Sequence, residues 1–493
     1  MKNAQLGGLF LGPIAFIFLH FLVSIEGLSA AGQTTLAATV WIAIWWITEA
    51  IPIAATALLP IVLFPLFGGL DLATTTAAFG HKYVFLYMGG FIIAIAIEKW
   101  KLHKRIALQI ILFMGSDLNR ILLGFMVATA FLSMWISNTA TSVMMLPIGM
   151  AIINQLKDNP QTPEDENLLF GKALMLAIAY SASIGGIATL IGTPPNLVLA
   201  GVLENTYGYE ISFMQWMAFG LPVSLVLLFL CWLYLTRFAF QLKSTAFAAG
   251  RAEVKRMQKE LGKISFEEKM VGFVFGLTAF CWITRSFLLQ SFLPALDDTI
   301  IAVSFSLLLF LLPTQNRQER ILNWKEAVQL PWGIILLFGG GMALAKGFET
   351  TGLAAWLGLQ MTSFSEWPFL ITLVLLIAAV NFLTEITSNL ATTAMMLPVL
   401  APLALEIGVH PFGLMVAAAV AASCAFMLPV ATPPNAVVFG AGYLRIPDMV
   451  SRGFAMNLLS ILLITIAVYI LLPLLWEIDL QHFPEAFKEL NQN

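Results

Sequence analysis

The sequence predicts an all-α polytopic membrane protein: two inverted repeats, about 11 transmembrane helices plus two re-entrant hairpins. Three observations predict it. The 493 residues are 59% hydrophobic and only 11% charged, with a mean hydropathy of +0.88; a soluble protein carries roughly 25% charged residues. Apolar runs of about 20 residues recur along the chain, as a ~30 Å hydrocarbon core requires, where a barrel would show short alternating segments. The chain also matches itself at an offset of 251 positions, the self-similarity that marks a duplicated unit. Ser137-Asn138-Thr139-Ala140-Thr141 meets Ser388-Asn389-Leu390-Ala391-Thr392, and Met144-Met145-Leu146-Pro147 meets Met395-Met396-Leu397-Pro398. Gly89-Gly90 meets Gly340-Gly341, and Glu98 meets Glu349.

In chain order, residues 6–25 read as the first span, without a small-residue cleavage site that would make them a signal peptide. Spans follow at 35–49 and 52–69, with Glu49 between them beside a helix break at Pro52. Glu49 reads as a capping or packing carboxylate, with a direct ion ligand as the alternative. A fourth span at 84–98 leads into Lys99, Lys101, Lys104 and Arg105 and an amphipathic, interfacial segment to 117. The apolar stretch 120–154 is interrupted by Ser137-Asn138, which describes a hairpin better than one long span. A linker from Lys157 to Asn167 follows. The fifth span, 170–205, breaks at Gly192-Thr193-Pro194-Pro195-Asn196, and the sixth is 214–236. A charged segment, 241–267, with Lys243, Arg251, Lys255, Arg256, Lys259 and Lys263, reads as a surface helix.

The second half repeats the plan. Spans fall at 268–288, 298–313 and 332–347, with an interfacial segment at 352–363 and a second hairpin at 367–405. The tenth span, 412–442, breaks at Ala431-Thr432-Pro433-Pro434-Asn435, and the eleventh is 453–475. The domains are therefore 1–240 and 268–493, joined by a cytoplasmic linker at 241–267. Gly89-Gly90 and Gly339-Gly340-Gly341 read as sites of close helix packing. With residue 1 in the cytoplasm, four of the 25 basic residues (Lys82, Arg285, Lys346, Lys488) fall on the outer side and the rest inside, the bias that sets orientation. The C-terminus then lies outside, and the two hairpins open to opposite sides. Inverted repeats with broken helices are the build of secondary transporters, with the site at the bilayer midplane.

Four polar breaks need a chemical reason, because unpaired backbone groups at membrane depth cost several kcal/mol each. Helix N-termini suit an anion, while loop carbonyls with Ser, Thr and Asn oxygens suit Na+. Each hairpin tip with its nearby Pro-Pro-Asn break can therefore hold one cation, with an anion shared between the tips. No Lys or Arg falls within the four motifs, so anion and cation binding should be strongly coupled. Glu385, four residues before Asn389, reads as a structural acid paired with backbone, with proton coupling as the alternative. The scattered Cys231, Cys281 and Cys424, and five histidines without ligand spacing, argue against a disulfide framework or a metal cluster.

At these residues the chain resembles the divalent anion:sodium symporter family, the di- and tricarboxylate transporters called INDY in animals. The likeness rests on Trp46-Ile47-Thr48-Glu49-Ala50-Ile51-Pro52, the paired tips and the two Thr-Pro-Pro-Asn breaks, and it covers nearly the whole chain. It implies an elevator-type transporter, a homodimer in the lipid bilayer of the inner membrane, and Na+ in two or more copies. It implies one Na+ site from Ser133, Ser137, Asn138 and the carbonyl of Gly192, and a second from Thr384, Thr387, Asn389 and Ala431. Substrate carboxylates would meet Asn138, Thr139, Thr193, Asn389, Thr432 and Pro433. The hairpins with spans five and ten would move against the remaining spans. Leu390 departs from the family's Thr at the second tip, which suggests an altered substrate choice at that position.

The function expected is a carrier for C4-dicarboxylate-like anions of the succinate, malate and fumarate class, driven by Na+. An anion exchanger or sulfate carrier on the same fold, and an anion channel, are the alternatives. No Ser-His-Asp grouping, metal spacing or phosphate loop points to an enzyme, and nothing points to nucleic acid.

Overall fold

The computed structural model describes residues 3–156, 166–242, 248–360 and 367–490, which hold 25 α-helices. The linker predicted from Lys157 lies outside the described residues as far as 165, as do Lys243 and the end of the predicted 352–363 segment. Among the described residues no strand occurs beyond an isolated bridge between Pro313 and Arg320.

The predicted spans are found as helices. In the first half they are Asn3–Leu22, Ala30–Thr48, Ile53–Phe67, Lys82–Lys99, and Phe213–Ala239 as the sixth. In the second half they are Phe266–Thr284, Asp298–Leu311, Trp332–Thr350 and Ile446–Trp476. Among the described residues seven helices are long and apolar enough to cross a membrane. The predicted surface segment contains Ala248–Glu260. The first hairpin pairs Leu118–Ser133 with Asn138–Ile153, and the second pairs Phe369–Leu383 with Asn389–Glu406.

The broken spans differ from expectation in where they break. The fifth runs Glu166–Ile187 and resumes at Pro194–Tyr207; the tenth runs Pro411–Ala422 and resumes at Pro433–Phe439. The Pro-Pro-Asn triplets are thus the first turns of the second half-helices, with the break before them. Proline is well placed there, since the first helical N–H groups have no intrahelical acceptor.

Spans six and eleven, expected among the scaffold spans, turn polar groups to the hairpins and broken spans. Trp216 Nε1 donates to the Ile187 carbonyl at 3.0 Å, Ser224 Oγ to Ile184 at 2.8 Å, and Trp232 Nε1 to Asn119 at 3.0 Å. A Cβ on Gly453 would lie 2.2 Å from the Phe426 carbonyl, so span eleven sits directly on the break of span ten. The glycine pairs pack closely as expected: a Cβ on Gly89 would meet Ala302 backbone at 2.8 Å, and one on Gly340 the Ala57 carbonyl at 2.5 Å.

The helix Leu102–Met114, which leads into the first hairpin, is pinned through Arg105. This buried guanidinium pairs with Glu268 at 2.8 Å and donates to the Gly262 carbonyl at 3.1 Å. Removing one partner of a buried pair strands the other charge. Glu268→Ala is therefore expected to destabilise the protein by about 3 kcal/mol, read as a lower thermal midpoint in detergent. The Arg105→Met, Glu268→Met double variant should lose less.

Candidate functional site

Each hairpin tip closes onto the broken span of its own half. At the first tip, the Asn138 side-chain amide donates to Ser133 Oγ at 2.6 Å and lies 3.2 Å from both the Ala182 and the Gly192 carbonyl. Ser133 Oγ in turn donates to the Ala182 carbonyl at 2.7 Å. One amide thus ties the tip to the broken span on both sides of its break. Glycine makes the approach possible, because a Cβ on Gly186 would lie 2.9 Å from the Asn138 side-chain amide and one on Gly192 would lie 2.5 Å from the Gly186 carbonyl.

The second tip repeats the arrangement. Thr384 Oγ1 bonds Asn389 Oδ1 at 2.8 Å and the Ala422 carbonyl at 3.0 Å. Thr387 donates to the Leu383 carbonyl at 2.9 Å and bonds the Thr392 hydroxyl. The 251-residue offset relates Ser133 to Thr384 and Asn138 to Asn389. Behind the breaks, Asn196 Nδ2 donates to the Thr189 carbonyl at 2.8 Å and Asn435 Nδ2 to Leu428 at 3.0 Å. Tyr180 OH reaches across to the Phe426 carbonyl at 3.0 Å and ties the two broken spans together.

The copies differ in the length of their breaks. Six residues, 188–193, are unwound in the fifth span, but ten, 423–432, in the tenth. The extra turn frees backbone N–H groups in the protein interior. Glu385 takes them up: its carboxylate accepts from Phe426 at 2.7 Å, Met427 at 3.0 Å and Leu428 at 3.0 Å, and from Asn457 Nδ2 at 2.8 Å. Glu385 is therefore a structural acid held by backbone.

A cavity of about 660 Å3 lies between the tips, within the size range of small-molecule sites. Of the predicted residues, Ser137, Asn138, Thr139, Gly192, Thr193, Thr387, Asn389, Leu390, Ala431, Thr432 and Pro433 line it. Ser133 and Thr384 are buried beneath its wall. Four helix starts face it, at Asn138, Pro194, Asn389 and Pro433. Ser137 caps the first of these through Ala140 N at 3.2 Å, and Thr432 caps the last through Asn435 N at 3.2 Å, whereas the Thr193 hydroxyl makes no cap bond. Among the described residues the lining contains no Lys, Arg or His. Such a site favours an anion through helix N-termini and neutral donors.

Sequence reasoning missed the opposite wall. Tyr87, Ile334 and Leu337 face the tips, and Ala4, Gln5, Thr48 and Glu49 carry the cavity out beside the start of the first helix. The carbonyls of Ala182 and Ala422 were equally hidden, since every residue has one. Glu49 corrects the reading made of it: it is exposed, and no side-chain bond caps the helix after Pro52.

The sodium:sulfate symporter transmembrane region matches residues 4–478 of the chain. The chain is 50% identical to a sodium-dependent dicarboxylate transporter, SdcS, of Staphylococcus saprophyticus, covering 96% of this chain and 93% of that protein. It is 47% identical to SdcS of Staphylococcus aureus strain USA300, covering 97% and 93%. Among solved structures, Neisseria gonorrhoeae MtrF superposes with a TM-score of 0.57 at 12% identity, over 92% of this chain and 97% of that one. The Alcanivorax borkumensis YdaH transporter gives 0.57 at 13% identity, over 90% and 99%. These two likenesses concern the fold alone.

Replacing the Glu385 carboxylate tests its structural role. Glu385→Gln keeps the shape but leaves one carbonyl oxygen for three backbone donors. A loss of about 2 kcal/mol is expected, read as a lower thermal midpoint in detergent with helical circular dichroism unchanged below the transition.

Proposed function

The chain belongs to the sodium:sulfate symporter family, and from that premise we propose that it is a Na+-coupled carrier for C4-dicarboxylates. It is a membrane transporter and not an enzyme. The observation that carries the reading is the cavity faced by four helix starts and, among the described residues, lined without Lys, Arg or His. A dianion there has only neutral donors and helix dipoles, so cations bound close by are needed to balance its charge.

Two Na+ ions are the co-substrates in this reading. One sits with Ser133, Ser137, Asn138 and the Gly192 carbonyl; the convergence of the Ser133 hydroxyl and the Gly192 carbonyl on the Asn138 side chain supports it. The other sits with Thr384, Thr387, Asn389 and Ala431; the repeated pairing of Thr384 with Asn389 and the Ala422 carbonyl supports it. The carboxylates meet Asn138, Thr139 and Thr193 on one side and Asn389, Thr432 and Pro433 on the other. Because Asn138 and Asn389 serve both ions and anion, losing either partner loosens the other.

The N-terminus lies in the cytoplasm and the C-terminus outside, by the placement of the basic residues. The chain divides at 1–240, 241–267 and 268–493, with the halves inverted. The body that moves contains both hairpins, both broken spans and spans six and eleven, whose polar bonds hold them to it. The rest forms the scaffold of a homodimer.

Labelled succinate uptake into proteoliposomes tests the reading: uptake is expected only with an inward Na+ gradient. Uptake that ignores Na+ and needs internal dicarboxylate makes the protein an exchanger. Leu390, buried at the second tip yet lining the cavity, offers a carboxylate no donor. Leu390→Thr is expected to change the ratio of succinate to sulfate and 2-oxoglutarate transport by about tenfold, the worth of one added hydrogen bond. An unchanged profile removes Leu390 as a determinant.

A further inference from the structure

Among the described residues that line the cavity one is charged, and its sign is unexpected: Glu49 stands in the lining of a space that otherwise suits an anion. It stands where the cavity reaches out beside Ala4 and Gln5.

Its local setting is unfavourable in three ways. Glu49 ends the helix Ala30–Thr48 in the left-handed region, at φ 47° and ψ 42°, a conformation that glycine or asparagine adopts with less strain. Its negative charge lies at the negative end of that helix dipole. Among the described residues its carboxylate has no hydrogen-bond or ion-pair partner. Only its backbone is engaged, its N–H with the Trp45 carbonyl and its carbonyl with Gln5 Nε2 at 3.4 Å. Nothing in the packing accounts for an acid here. Positions that break several local rules at once are where function is to be sought.

Electrostatics supplies a role. A carboxylate at the mouth of a low-dielectric vestibule raises the local concentration of cations and lowers that of dianions. The four helix starts deeper in the cavity have the opposite preference. We infer that Glu49 is a selectivity residue at the cytoplasmic mouth, drawing Na+ into the vestibule and holding back a dicarboxylate that is not accompanied by it. This deepens the carrier reading and rests on it and on a cytoplasmic N-terminus. Because Glu49 belongs to the scaffold and not to the tips, its effect falls on one face of the membrane only. Ions and anion entering from the other side do not pass it.

The test compares wild type and Glu49→Gln in inside-out and right-side-out membrane vesicles. At the face bearing the N-terminus, half-saturating succinate is expected to fall about threefold, and half-saturating Na+ to rise about twofold, as suits a partly screened charge. At the opposite face both constants stay as in wild type. Damage to the fold does not move the two constants in opposite directions on one face. Unchanged constants, shifts in the same direction, or equal shifts at both faces overturn the inference. If Glu49→Gln fails to reach the membrane, wild type alone decides. Raising ionic strength with choline chloride at the N-terminal face should lower half-saturating succinate there, and a flat response overturns the inference. Wild-type vesicles that transport no succinate with Na+ refute the carrier reading itself, and that result appears before any variant is compared.

Discussion

Every broken helix in this protein depends on one constraint: backbone N–H and C=O groups away from water must find partners inside the protein. The two breaks are met by the side chains of Asn196 and Asn435, by hydroxyls of the hairpins, and by indole and phenol groups of neighbouring spans. Those partners fix where the hairpins sit. The tips consequently bring neutral oxygens and helix starts to a common centre, with no basic residue among the described residues that line it.

The second break shows the constraint most directly. Its helix stops one turn earlier than its counterpart, and that turn exposes N–H groups which the first copy keeps in its helix. An acid stands at Glu385, where the first copy has Met134. In the first copy the Met134 backbone carbonyl accepts from the Thr189 hydroxyl; in the second, the Glu385 side chain accepts from three backbone N–H groups. Charge-assisted bonds of this kind are stronger than neutral ones, which suits a longer unwound segment.

Much of this was legible in the sequence because polar interruptions in apolar runs are rare and have few physical explanations. The tips at Ser137-Asn138 and Ser388-Asn389 and the Thr-Pro pairs at Thr193-Pro194 and Thr432-Pro433 proved to line one cavity. The breaks themselves were misplaced by several residues, since proline marks the first turn of a helix as readily as its end. The contacts of spans six and eleven were hidden because an apolar helix reads the same whichever neighbour it meets; Trp216 and Asn457 show them only through their partners. Glu49 was read as a cap because acids at helix ends usually are one, and only the position of the cavity shows otherwise.

The unequal breaks also bear on how the two halves can diverge. A duplicated unit begins as interchangeable parts, but these parts no longer are. A copy of the first hairpin grafted in place of the second would bring a methionine to the position of Glu385 and leave Phe426, Met427 and Leu428 without their acceptor. The halves have become locked to their own positions, and a chimera must exchange each hairpin together with the broken span it serves.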